Sequence, residues 1–208
     1  MITREAVEKL INGTPSERRF LCSENFELFM LYYFPEYIKY PFAPFHFDMF
    51  QDVKDLFGGT IREVAWIMFR ESAKTSISKI LLVWIIVYNK RRYLNVDSFS
   101  VTNAERILFD VVLSLQTNQK IKADFGELYN SKRDNDEVTQ KRINNFVTNN
   151  GVRVEAHSTG KSVRGRLHGN QRPDFLLLDD FENNETKDSK AHTQGVIDHI
   201  DEFKSGLD

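Results

Sequence analysis

Apolar residues in the first sixty positions recur at helical spacing. Residues 5–11 read as a short helix stopped by Asn12-Gly13, and residues 24–33 place Phe26, Phe29, Met30 and Tyr33 together before Pro35. Pro41-Phe42-Ala43-Pro44 forces an extended connection. Residues 46–57 then give a third helix with Phe47, Phe50, Val53 and Phe57 on one side, ended by Gly58-Gly59. These aromatics read as core rather than as a ligand platform.

From Val64 the pattern changes. Val64-Ala65-Trp66-Ile67-Met68-Phe69 is a continuous apolar run, as expected of a strand in a parallel sheet covered on both faces. Residues 75–88 follow as a helix apolar almost all round and hence buried, although 80–87 alone would pass for a strand. Residues 94–102 read as a strand, 104–117 as a helix facing inward through Ile107, Leu108, Val111, Val112 and Leu115, and 130–140 as a polar loop. Residues 145–148 and 152–157, separated by Asn149-Asn150-Gly151, make a β-hairpin. Residues 175–178 form the next buried strand and 190–204 a helix. This alternation predicts an α/β fold with a mostly parallel sheet as a core over residues 61–208, preceded by a helical segment over 1–60 packed on it.

Composition narrows the setting. With 208 residues, 41% hydrophobic and 28% charged, the chain can bury a core as one domain, with or without a small appendage, and is unlike a disordered or fibrous sequence. One cysteine, Cys22, allows no internal disulfide, and the N-terminus shows no basic-then-apolar leader, so a reducing cytoplasm is expected. The strongest apolar run, residues 80–88, is far short of the roughly 20 residues of a membrane helix. A net charge of -2 argues against a generally basic nucleic-acid binder. Even so, Arg153, Lys161, Arg164, Arg166 and Arg172 stand against the single acid Glu155 between positions 153 and 172. That patch suits phosphates of a nucleotide or nucleic acid, or equally a solvated loop beside an acidic tail.

Two segments carry chemistry. Phe69-Arg70-Glu71-Ser72-Ala73-Lys74-Thr75 joins the apolar run to a helix through small residues, a Lys and a hydroxyl. In a phosphate-binding loop, backbone N–H groups and the helix N-terminus surround the phosphates, Lys reaches the β- and γ-phosphates, and Ser or Thr coordinates Mg²⁺. Arg70, Glu71, Ser72, Ala73, Lys74 and Thr75 would form that loop, with Met68 and Ala73 where the usual pattern has glycine. Thr159-Gly160-Lys161-Ser162 looks more like such a loop's ending, but it follows a hairpin strand and opens no apolar helix. The second segment, Asp174-Phe175-Leu176-Leu177-Leu178-Asp179-Asp180, is an apolar strand ending in paired carboxylates. The first would serve the metal and the second would orient an attacking water.

In order along the chain, these residues resemble the large terminase subunit of tailed bacteriophages, the ATPase motor that packages DNA into the procapsid. That family's deviant P-loop has Arg four residues before Lys, as Arg70 stands to Lys74, and its Walker B region reads much like Arg172-Pro173-Asp174-Phe175-Leu176-Leu177-Leu178-Asp179-Asp180-Phe181-Glu182. Ser158-Thr159-Gly160-Lys161-Ser162-Val163-Arg164-Gly165 is similar to its intervening turn, and Ala43-Pro44-Phe45-His46-Phe47 to its proline-histidine segment. The resemblance implies a P-loop NTPase sandwich binding ATP and Mg²⁺. Lys74 would be on the phosphates, Thr75 and Asp179 on the metal, Arg70 on the γ-phosphate or transition-state charge, and Asp180 or Glu182 as the catalytic acid. Implied partners are double-stranded DNA, the portal protein, the small terminase subunit and further copies in a ring, in the host cytoplasm. The family continues with a coupling strand and a nuclease domain. Their motifs do not follow here, so the expectation is a fragment or split gene product lacking its last strands, with weak hydrolysis. A helicase-like P-loop ATPase, or a degenerate non-catalytic module that binds packaging partners, are the competing expectations.

Overall fold

The computed structural model describes residues 3–129, 143–158, 170–181 and 189–205. Its helices are α1 (Arg4–Asn12), α2 (Pro15–Glu24), α3 (Phe26–Tyr33), α4 (Pro44–Phe57), α5 (Lys74–Val87), α6 (Val101–Thr117), α7 (Gln119–Phe125) and α8 (Lys190–Lys204). Its strands are β1 (Tyr93–Ser98), β2 (Asn145–Val147), β3 (Arg153–Ser158) and β4 (Phe175–Leu178). The chain divides into two compact units, residues 1–90 with 117–126 and residues 91–116 with 127–208.

The regular elements of the first unit are helical among the described residues. Helix α2, which apolar periodicity alone does not reveal, starts at a capping box: the Thr14 hydroxyl accepts from Glu17 N–H, and the Glu17 carboxylate accepts from Thr14 N–H at 2.8 Å. Phe26, Phe29, Tyr33, Phe34 and Phe50 gather with Trp84 and Tyr88 in edge-on and tilted ring contacts, and Trp84 Nε1 donates to the Cys22 carbonyl at 2.7 Å. Burial pushes the Cys22 thiol up to about 12, so it packs as an inert apolar group. Of the face expected on α4, Phe50 and Val53 are buried, but Phe47 is 49% exposed.

Residues 64–69 do not form the expected strand. The run belongs to no helix or strand, with Ile67 96% and Phe69 67% exposed. The described part of this unit holds no sheet for it to join. Instead it is held to α4: Trp66 Nε1 donates to Asp52 Oδ2 at 2.9 Å, and the Phe69 ring meets Phe45 edge-on at 5.5 Å.

The second unit carries a four-stranded mixed sheet in the order β2-β3-β1-β4. Strand β1 pairs in parallel with both β3 and β4, whereas β2 and β3 form the antiparallel hairpin read at Asn149-Asn150-Gly151. Every residue of β1 is buried, consistent with its central place. The strand expected over 94–102 ends at Ser98, and Val101 already opens α6, which buries Ile107, Leu108, Val111, Val112 and Leu115. The fold is therefore α/β with a mixed sheet. The polar stretch expected over 130–140 lies outside the described residues.

Candidate functional site

The two chemical segments belong to different units and are described one at a time. In the first unit, Lys74 is the first residue of α5, and the loop before it has an unusual backbone. Glu71 has φ 69° and Ala73 φ 61°, ψ 10°, both left-handed, with Ser72 buried between them. Left-handed conformation at a non-glycine residue costs about 1–2 kcal/mol and concentrates at functional loops. Alternation of this kind turns successive N–H groups toward one side, which is how backbone nests receive anions. Ala73 occupies the position that the usual phosphate-loop pattern gives to glycine, and it adopts the backbone glycine would favour. Lys74 and Thr75 are half-buried, and Arg70 is exposed and makes no ion pair with Glu71 among the described residues.

In the second unit, β4 delivers Asp179 and Asp180 to the carboxyl edge of the sheet. Asp179 is buried and its N–H donates to the Asp97 carbonyl at 3.0 Å, so it extends the β1–β4 ladder by one step. Asp180 is exposed and left-handed at φ 46°. Its carbonyl accepts from Phe99 N–H at 3.0 Å and from the Ser98 hydroxyl at 3.2 Å. The chain leaves β1 for β3 on one side and later returns to β4 on the other. The carboxyl ends of β1 and β4 thus flank a topological switch point, the position at which open α/β sheets bind ligands. Glu182, the alternative catalytic acid, lies outside the described residues, as do Lys161 and Arg164.

The structure also brings together polar groups of which sequence reading had named only Arg153 and Glu155, and those only as part of a charge patch. Tyr93, Asn95 and Asp97 alternate along β1 and pair in register with Arg153, Glu155 and His157 of β3. Glu155 accepts from the Tyr93 hydroxyl at 2.8 Å and also bonds Arg153 and His157. Burial opposes its ionisation, but the hydrogen bonds from His157, Arg153 and Tyr93 outweigh it and hold the carboxyl at about 2. Asp97 Oδ2 lies 2.5 Å from His199 Nε2 of α8, both side chains buried. The available signal was the period-two appearance of Asn95 and Asp97 inside an otherwise apolar strand.

Among the described residues no group of three or more His, Cys, Asp and Glu could hold a metal ion by itself. The left-handed loop is of the kind that accepts a phosphate. Compared with protein families, with curated proteins and with solved structures, the chain finds no match.

Proposed function

We propose that this chain is the ATPase domain of a viral terminase large subunit, which couples Mg-ATP hydrolysis to packaging of double-stranded DNA. The observation that carries this reading is the left-handed Ala73 immediately before Lys74 at the start of α5. Support also comes from a parallel strand that ends in Asp179-Asp180 at the switch point of the sheet. In this reading the 71–75 N–H groups and Lys74 hold the phosphates, and Thr75 and Asp179 hold Mg²⁺. Arg70 faces the charge that develops on the γ-phosphate, and Asp180 or Glu182 orients the attacking water. Bound Mg²⁺ would supply charge neutralisation at the phosphate oxygens. Double-stranded DNA, portal, small subunit and ring partners follow from the resemblance and remain part of the proposal.

The test is a thermal shift with Mg-ATP. At a hundredfold its dissociation constant a ligand adds about 2.7 kcal/mol, and Lys74→Ala should remove that gain. A flat response from the unmodified chain would reject the reading. It would favour a non-catalytic module, for which the exposed Ile67 and Phe69 offer an apolar docking surface.

A further inference from the structure

His46 makes two hydrogen bonds that together define its tautomer. Ala43 N–H donates to Nδ1 at 2.9 Å, so Nδ1 carries no proton. Nε2 lies 3.2 Å from the Ser72 carbonyl, which can only accept, so Nε2 carries the proton and donates. Phe45 lies against the ring at 4.1 Å between centroids and Phe42 meets it edge-on at 5.6 Å, which holds the imidazole in place. One side chain therefore ties the first turn of α4 to the loop that precedes Lys74.

The bond to Ser72 has a directional effect. The Ser72 carbonyl and the Ala73 N–H belong to one peptide unit, and no described peptide bond is cis. In a planar trans peptide the two groups point in opposite directions. Holding the carbonyl toward α4 thus turns the Ala73 N–H away from it, in the middle of the left-handed pair Glu71 and Ala73. Without that anchor the peptide is free to rotate, and Ala73 can leave a conformation that an alanine does not favour.

We propose that His46 is a positioning residue for the phosphate loop, which aims the Ala73 N–H by holding the Ser72 carbonyl. The inference rests on the nucleotide reading for its use, but not for its first test, which is the ¹⁵N order parameter of the Ala73 N–H in the free chain. In the native chain it should be that of rigid backbone, about 0.85, and in His46→Leu it should fall below about 0.6. Order parameters in the middle of α4 and α5 should stay unchanged. His46→Gln, whose amide can both accept from Ala43 and donate to Ser72, should restore the order at Ala73. In the second arm His46→Leu weakens Mg-ATP by about tenfold, the order expected for one lost hydrogen bond, and His46→Gln recovers it. An unchanged order parameter at Ala73 in His46→Leu overturns the proposal. Loss of order throughout α4 that His46→Gln does not repair overturns it as well, because His46 is then a helix cap alone. A native chain that binds no Mg-ATP rejects the nucleotide reading only, since the comparison of order parameters still judges His46.

Discussion

Asp174 engages both backbone groups of Tyr93: its carboxylate accepts the Tyr93 N–H at 2.8 Å, and its own N–H donates to the Tyr93 carbonyl at 2.9 Å. The same carboxylate accepts the Arg92 N–H at 2.9 Å. These bonds lock the start of β4 to the start of β1 and set the register that carries Asp179 to the far end. Asp174→Ala should cost about 1.5–3 kcal/mol, the range for hydrogen bonds to a charged group, and Asp174→Asn should cost less. Urea denaturation read at β-sheet signals checks both, and an Ala variant as stable as the native chain would contradict the assignment.

Ala73 stores backbone strain that glycine would release. Ala73→Gly removes a penalty of about 1–2 kcal/mol but adds unfolded-state entropy of about 0.5–1 kcal/mol, so a small net gain of about 0.5–1 kcal/mol is expected. Ala73→Val should move stability the other way. Paired thermal melts decide the sign.

Asp124 of α7 satisfies two side chains in the core of the helical unit. It pairs with Arg18 of α2 at 2.9 Å and accepts the Tyr33 hydroxyl of α3 at 2.7 Å, while burial together with this bond drives the Tyr33 phenol well above its usual range. Asp124→Ala leaves Arg18 without its buried counter-charge, and a loss of about 3–5 kcal/mol follows. Denaturation midpoints, with Arg18→Met and the double variant completing a cycle, measure the coupling.

Glu155 makes the second unit sensitive to acid. Its carboxyl is held at about 2 in the folded chain against an ordinary value of 4.5. Because the folded value is depressed, its stabilisation is present above pH 4.5 and is lost as pH falls toward 2. The full effect is on the order of 3 kcal/mol. Glu155→Gln should flatten the stability profile between pH 4.5 and 2, and an unchanged slope there would remove Glu155 from the account.

The strand at 175–178 was legible to the residue because Pro173-Asp174 and Asp179-Asp180 bracket a purely apolar run. The hairpin was legible through its Asn-Asn-Gly turn. Helices α2 and α7 were not, since their sequences are mostly polar and caps at Thr14 and Asn118 start them rather than any apolar stripe. Residues 64–69 show the converse: an apolar run encodes a wish for burial, but local pattern does not say whether a neighbouring strand exists. At the candidate site, the placement of Lys74 at a helix start could be read directly. The Asp97–His199 contact joins positions 102 apart and left no trace in spacing.

Among the described residues β4 is an edge of the sheet, with Phe175, Leu176, Leu177 and Leu178 only half-buried. Such an edge invites another copy to add a strand, and natural sequences restrain this with prolines and charges at the flanks. Pro173 and Asp179 are buried and the Asp174 carboxylate is occupied by backbone N–H groups, so the exposed Asp180 is the flanking charge placed to act in this way. Neutralising Asp180 thus removes a colloidal defence, and light scattering should show Asp180→Asn clustering at concentrations where the native chain stays dispersed. Loss of nucleotide response in that variant has meaning only in samples shown to be unclustered.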